Sequence, residues 1–347
     1  MIKTLKFTFK FFLILILLIF FVFVTLKIFN VPIKKNLFLS PLKFTNKFIN
    51  ISKSYDSPFT INRFISDVET IGFIYTFKKL IHLKILGYQR CDISKTNFKK
   101  LEIGKHHSSD IIAGHIYVNF EMFKDLIDLD INFNNLFLNG DVFEVPSSDN
   151  WESLDNLLKN SNFNNYYIVP GNHDLSGNKI NTMHLSEIFF EKYKYKFPLV
   201  LNTSNKIYIL NNSNIKPLNL TDDLIELINE ISPENYGKDL IILSHHLLRP
   251  YPKSISNGAT NIKSNFLKDF NLIEKKLNKF RNTYFVNGDT GSNNFTNYYK
   301  DNNIIPYAFD CIKKNNVFFL SSGFAGHYDD EMILITKDGN IYRLKKD

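Results

Sequence analysis

The sequence predicts an α/β domain standing behind an N-terminal transmembrane helix. Three observations predict it. An uncharged apolar run lies near the start, short apolar strands alternate with helix-like stretches after about residue 100, and metal-ligand residue types follow directly on three of those strands.

The first element is the apolar run. Phe11 to Leu26 reads FFLILILLIFFVFVTL, without a charge between Lys10 and Lys27. A helix needs about 20 apolar residues to span a bilayer, and flanking lysines that snorkel extend this run to Phe7–Phe29. A cleaved signal peptide ends in small residues, but here the run ends in Thr25, Leu26 and Lys27. The expectation is a retained single-pass signal anchor over residues 1–30. The three lysines of the tail place it inside and the domain on the non-cytoplasmic side. Residues 31–100, with Pro32, Pro41 and Pro58 and a mostly apolar stretch from Ile61 to Leu86, read as a juxtamembrane linker and helical segment. The domain proper is then expected over residues 101–347.

Composition narrows the function. Apolar residues make up 44% of the chain, enough for a sizeable core. The formal charge of +8 is spread along the sequence, with a juxtamembrane share at Lys27, Lys34, Lys35 and Lys43. A solvated basic surface beside a membrane accounts for it better than nucleic-acid binding, for which no basic cluster exists around the motifs. Only Cys91 and Cys311 occur, which excludes a disulfide framework and a cysteine-based zinc module and leaves a single bridge undecided.

Apolar runs at Leu136–Asn139, Tyr166–Val169, Ile207–Leu210, Leu240–Leu243, Thr283–Val286 and Val317–Leu320 read as strands. Asn119–Leu129, Trp151–Lys159, His184–Lys192 and Leu224–Ile231 read as helices between them. In such an alternation loops gather at strand ends, where polar side chains converge.

Three segments end a strand in ligand-type residues: LFLNGDVFE (136–144), YYIVPGNHDL (166–175) and LIILSHHLL (240–248). Hydrolysis of a phosphate ester needs charge neutralised on the phosphoryl oxygens and a hydroxide near pH 7, and paired divalent ions supply both. A carboxylate shared between the ions, completed by neutral oxygen and imidazole ligands, suits that task. A glycine before the carboxylate lets backbone approach where a Cβ would collide.

The order Gly-Asp, then Gly-Asn-His-Asp about thirty residues on, then a strand-borne His, resembles the calcineurin-like metallophosphoesterase family over roughly residues 105–340. The resemblance implies a four-layer α/β/β/α sandwich of two mixed sheets and phosphoric ester hydrolysis. It implies Asp141 as the bridging carboxylate, Asn172 as an amide ligand and His245 as the imidazole ligand of the second metal. His173 would help protonate the leaving group or stabilise the transition state, and Asp174 would orient that imidazole. His246 should point away from His245 on a strand and is kept as a substrate-binding candidate.

Two motifs depart from the family. Its opening Asp-x-His is absent, and Ala113 stands where the Asp belongs while His115 takes the imidazole place. Its closing Gly-His-x-His appears as Gly288-Asp289-Thr290-Gly291, where Asp289 replaces one imidazole by an oxygen ligand. The second site thus keeps Asp141, Asn172, His245 and Asp289, and the first keeps Asp141 and His115. One tightly held divalent ion and a second weak one are expected. The oxygen-rich set points to Mn²⁺, with Fe, Zn²⁺ and Mg²⁺ as alternatives.

His327, in SSGFAGHYDDE, is a further substrate-binding candidate on a loop returning over the site. His106 and His107 precede the first motif within reach of it, and Asp110 reads as a loop or strand-edge residue. The function expected is a membrane-anchored, metal-dependent phosphoester hydrolase acting on a phosphorylated small molecule or lipid-linked substrate. The alternative is a catalytically degenerate scaffold or binding module in cell-envelope assembly, since family members without the standard first motif look similar to proteins of surface polysaccharide production.

Overall fold

The computed structural model describes residues 87–345, apart from 92, 103–104, 115, 117–120, 144–145, 177–181, 213–219, 246–265, 289–310 and 323–330. The expected anchor and the stretch Ile61–Leu86 lie outside the described residues. Among the described residues no helix is long and apolar enough to cross a membrane.

Two sheets form the frame. In the first, the parallel strands β7 (Lys206–Asn211), β8 (Asp239–Ser244), β9 (Asn282–Asn287) and β11 (Val317–Ser321) lie side by side. The antiparallel strands β6 (Leu199–Asn202) at one edge, and β10 (Cys311–Lys314) with β1 (Gln89–Arg90) at the other, complete it. In the second sheet, β3 (Asp110–Ala113), β4 (Phe133–Asn139) and β5 (Phe163–Val169) are parallel. There β12 (Glu331–Ile335) runs antiparallel to β3, and β13 (Ile341–Lys345) and β2 (Ser94–Asn97) follow it to the edge.

The twofold alternation of strand side chains makes the layers. On β8, Ile241 and Leu243 pack inward with Phe137 of β4 and Ile112 of β3, in a core between the sheets. Leu240 and Ile242 point the other way, onto Leu224 and Ile228 of helix α5 (Asp222–Glu230) and Phe270 and Ile273 of α6 (Phe266–Leu277). On β4, Leu136 and Leu138 pack with Trp151 and Leu154 of α2 (Ser148–Lys159) and Phe189 of α4 (Thr182–Tyr193). The remaining helices are α1 (Glu121–Ile127) and the one-turn α3 (Asn172–Ser176). A mixed α/β sandwich of two sheets results. Local signals set the helix ends: Ser147 caps α2 with a reciprocal capping box to Asn150, and Thr221 accepts from the Leu224 N–H to start α5.

Strand pairing begins at Gln89, ahead of residue 101, because β1 and β2 add to the edges of the two sheets. The bridge left undecided by the sequence forms: the Cys91–Cys311 disulfide fastens this leading segment to β10 across a sequence separation of 220.

At the N-terminal ends of β3 and β7 the sheets are tied by a buried polar cluster. Asp110, read from sequence as a loop or strand-edge residue, is 1% exposed. One carboxylate oxygen accepts from Asn135 (2.7 Å) and Asn134 (3.2 Å) on its own sheet. The other accepts from the opposite sheet, from Lys206 Nζ at 2.9 Å and from the Tyr208 hydroxyl. Burial, and next the Asp110 charge, push the Tyr208 phenol well above its ordinary range.

Removing one partner of a buried pair strands the other charge, at a cost of about 3–5 kcal/mol. Lys206→Met should therefore lower the urea midpoint sharply, and adding Asp110→Asn should recover most of the loss. Urea unfolding followed by fluorescence checks this, and an unchanged midpoint in the single variant would refute a stabilising inter-sheet tie.

Candidate metal centre

The opposite pole of the sandwich, at the C-terminal ends of the parallel strands, gathers the ligand residues. β4 ends in Asn139 and passes into Gly140 and Asp141, both at positive φ (84° and 52°). A non-glycine residue in the left-handed region costs of order 1–3 kcal/mol unless its surroundings hold it. Here they do. Asp141 Oδ1 accepts the His173 N–H at 3.0 Å, and its carbonyl accepts the Ile116 N–H at 3.1 Å.

Asp174 secures the same turn from the neighbouring strand. Fully buried, it accepts N–H bonds from Val142 (3.0 Å) and Phe143 (3.1 Å) after the turn, and from Gly171 (2.9 Å) before α3. Its carboxylate was expected to orient the His173 imidazole, but the three backbone donors make it the clasp between the β4 and β5 loops. Burial first, and the Asp141 charge second, push the Asp174 carboxyl up to about 6, while the Gly171 and Phe143 N–H groups and His245 pull it down.

His245 comes from the other sheet, one residue beyond β8, and is fully buried. Its Nδ1 lies 3.1 Å from the Asn139 carbonyl, which can only accept, so Nδ1 carries the proton. Nε2 then presents its lone pair to Asp141 Oδ2 and Asn172 Oδ1, each 3.2 Å away. Three ligand-type atoms meet, from the ends of β4, β5 and β8, and the 3.2 Å spacings suit donors about 2.0–2.2 Å from one ion.

The closeness depends on missing side chains. A Cβ on Gly140 or on Gly288 would come within 3.0 Å of the His245 ring, and one on Gly171 would do the same to Asp141. Gly288, after β9, also donates its N–H to the carbonyls of Ser244 and His245 at 3.0 Å.

Of the residues singled out in the sequence, the structure thus brings together Asp141, Asn172 and His245, with Asp174 behind them. His173, half-buried, follows Asn172. His115, His246, Asp289 and His327 lie outside the described residues. Ala113 is buried in the core at the end of β3, and its methyl group offers no donor. His106 packs against Tyr342, and His107 is exposed; both precede β3, at its end away from this site. Among the described residues, no three His, Cys, Asp or Glu side chains cluster, so the set rests on one carboxylate, one imidazole and the Asn172 amide. Sequence reasoning missed Asn139, whose buried amide donates to the Ser244 and Val286 carbonyls of the other sheet. A polar residue closing the apolar run Leu136–Leu138 was the available signal.

The family model "calcineurin-like phosphoesterase" matches residues 106–290. No curated protein sequence matches significantly. Among solved structures, the chain is similar to a purple acid phosphatase from yellow lupin (Lupinus luteus) seeds, with 11% identity and a TM-score of 0.42, covering 71% of this chain and 55% of that one.

An acid whose folded pKa is raised contributes stability when protonated, and that contribution is lost as pH rises from about 4 through about 6. Chelated protein should lose what remains of this contribution between pH 5 and about 6, whereas a bound cation offsets the charges of Asp141 and Asp174. The Mn²⁺-minus-EDTA difference in Tm should therefore be larger at pH 7 than at pH 5, read by differential scanning fluorimetry. A difference that shrinks with pH would contradict the cation site.

Proposed function

The chain belongs to the calcineurin-like phosphoesterase family, and on that premise we propose that it is a metal-dependent phosphoester hydrolase holding one divalent cation tightly. The carrying observation is the convergence of Asp141 Oδ2, Asn172 Oδ1 and His245 Nε2. Asp289 is the fourth ligand of this reading, and His115 serves a second, weaker position with Asp141. The oxygen-rich set favours Mn²⁺ over Zn²⁺. When bound, the cation neutralises phosphoryl charge and supplies a water of lowered pKa.

The protein's own groups do the rest. Asp141, Asn172 and His245 would hold the cation, and burial of Asp141 and His245 limits access of bulk solvent. Water adds to phosphorus and the ester P–O bond breaks; the departing oxygen takes a proton from the His173 imidazolium, and the proton released by the attacking water restores that imidazolium through solvent. His173 is half-buried, and its main-chain N–H is bonded to Asp141. His246 and His327 are proposed to contact substrate.

A phosphorylated small molecule or lipid-linked phosphate suits a domain anchored through residues 1–30. The single disulfide, using both cysteines of the chain, supports placing the domain on the non-cytoplasmic side, since such bonds persist in oxidising compartments. One observation favours a second reading, a degenerate scaffold in envelope assembly: buried Ala113 supplies no ligand where the family has an aspartate.

His173→Ala should lower kcat on an aryl phosphate by about 10²–10⁴-fold with Mn²⁺ affinity unchanged, while Asp141→Asn should abolish both. Wild-type protein that binds Mn²⁺ but hydrolyses no phosphoester would favour the scaffold. For the compartment, membranes alkylated before lysis and run without reductant should show the full-length chain with both thiols protected. Two alkylated cysteines would place the domain in the cytosol.

A further inference from the structure

We propose that Asn139 is a positioning residue that sets His245 for cation binding, an inference resting on the hydrolase reading above. Asn139 is the last residue of β4 and is fully buried. Leu138 packs on the helix side and Phe137 between the sheets, so alternation turns Asn139 inward, across the gap.

There its amide nitrogen donates to Val286 O at 3.1 Å and Ser244 O at 3.4 Å. Ser244 is the residue before His245, and Val286 lies two before Gly288. The carbonyl of Asn139 also accepts the Nδ1–H of His245 at 3.1 Å. One residue of the second sheet therefore holds the main chain leading into His245 and the ring itself. Gly140 and Gly288 leave the ring its space without fixing its rotation. The main-chain carbonyl of Asn139 fixes it, and the side-chain amide holds the Ser244 carbonyl and so the backbone from which the ring extends, with Nε2 facing Asp141 and Asn172.

Packing alone does not account for an asparagine here. The amide is depleted in strands and costly to bury. Its Oδ1 is buried with no hydrogen-bond partner among the described residues. A leucine, like those at 136 and 138, would fill the inner face with no such cost. Outer contacts of this kind typically alter metal affinity 10–100-fold by orienting the ligand.

The test compares wild type, Asn139→Leu and Asn139→Asp. Asn139→Leu keeps the volume and loses the donors; Asn139→Asp keeps the shape and turns an oxygen toward two carbonyl oxygens. Mn²⁺ affinity is measured by titration, the ligand geometry by the visible spectrum of the Co²⁺-loaded protein, and the fold by Tm in EDTA. The expected result is a Mn²⁺ Kd raised about 10–100-fold and a shifted Co²⁺ spectrum, with the EDTA Tm of Asn139→Leu near wild type. If Asn139→Leu does not fold, Asn139→Ser, which retains one donor and adds no bulk, is read in its place. An unchanged Kd and Co²⁺ spectrum in the folded variants would overturn the inference and leave the hydrolase reading standing. Wild-type protein that binds neither Mn²⁺ nor Co²⁺ would overturn the hydrolase reading itself.

Discussion

The approach of His245 to the Gly140–Asp141 turn is the contact on which the rest of the site depends. It joins the two sheets at the one level where their strand ends expose lone pairs. Two glycines make it sterically feasible, since a Cβ at either 140 or 288 would overlap the imidazole. The carbonyl of Asn139 gives that imidazole a direction, and the direction presents Nε2 to two oxygens. The ligand set is therefore a property of the interface between sheets, and neither sheet carries it alone.

The sandwich is held at both poles by polar groups, and the two poles differ in kind. At the N-terminal pole Asp110 is saturated: each oxygen has two donors, from both sheets, and an ammonium balances the charge. Such a cluster is complete as it stands and specifies how the sheets face each other. At the C-terminal pole a carboxylate, an amide oxygen and an imidazole nitrogen, from Asp141, Asn172 and His245, converge from three strand ends, and a second carboxylate, Asp174, is buried behind them. The contrast is between a carboxylate balanced by an ammonium and a set of ligand-type atoms gathered at one point.

One departure from the family pattern lies among the described residues, at the end of β3. Ala113 removes a donor from the end of β3 and adds a methyl group to the core packed with Leu136 and Leu138. Asp141, Asn172 and His245 come from the ends of β4, β5 and β8, with backbone hydrogen bonds reinforcing Asp141 and Asp174. The reinforcement is independent of β3 apart from the Ile116 N–H on the Asp141 carbonyl.

By itself the sequence determined the α/β class, the main parallel strands and the convergence of Asp141, Asn172 and His245. Those are local signals: apolar runs of strand length, each ended by glycine or a small polar residue and then a ligand. The strands β1, β2, β6, β10, β12 and β13 escaped it; short edge strands such as Ser94–Asn97 carry no apolar run and form only by pairing with a partner already in place. Asp110 and Lys206 looked like ordinary charged residues, being 96 positions apart and meeting only across the sheet gap. Asp174 looked like a companion of His173, yet the nearest donors in space are the N–H groups of Val142 and Phe143 on another loop. Asn139 and the Cys91–Cys311 bridge were decided in the same way, by which chain segments the packing of two sheets brings within hydrogen-bond or covalent reach. Periodicity reports which face of a strand is apolar; it carries no information about what the other sheet places opposite that face.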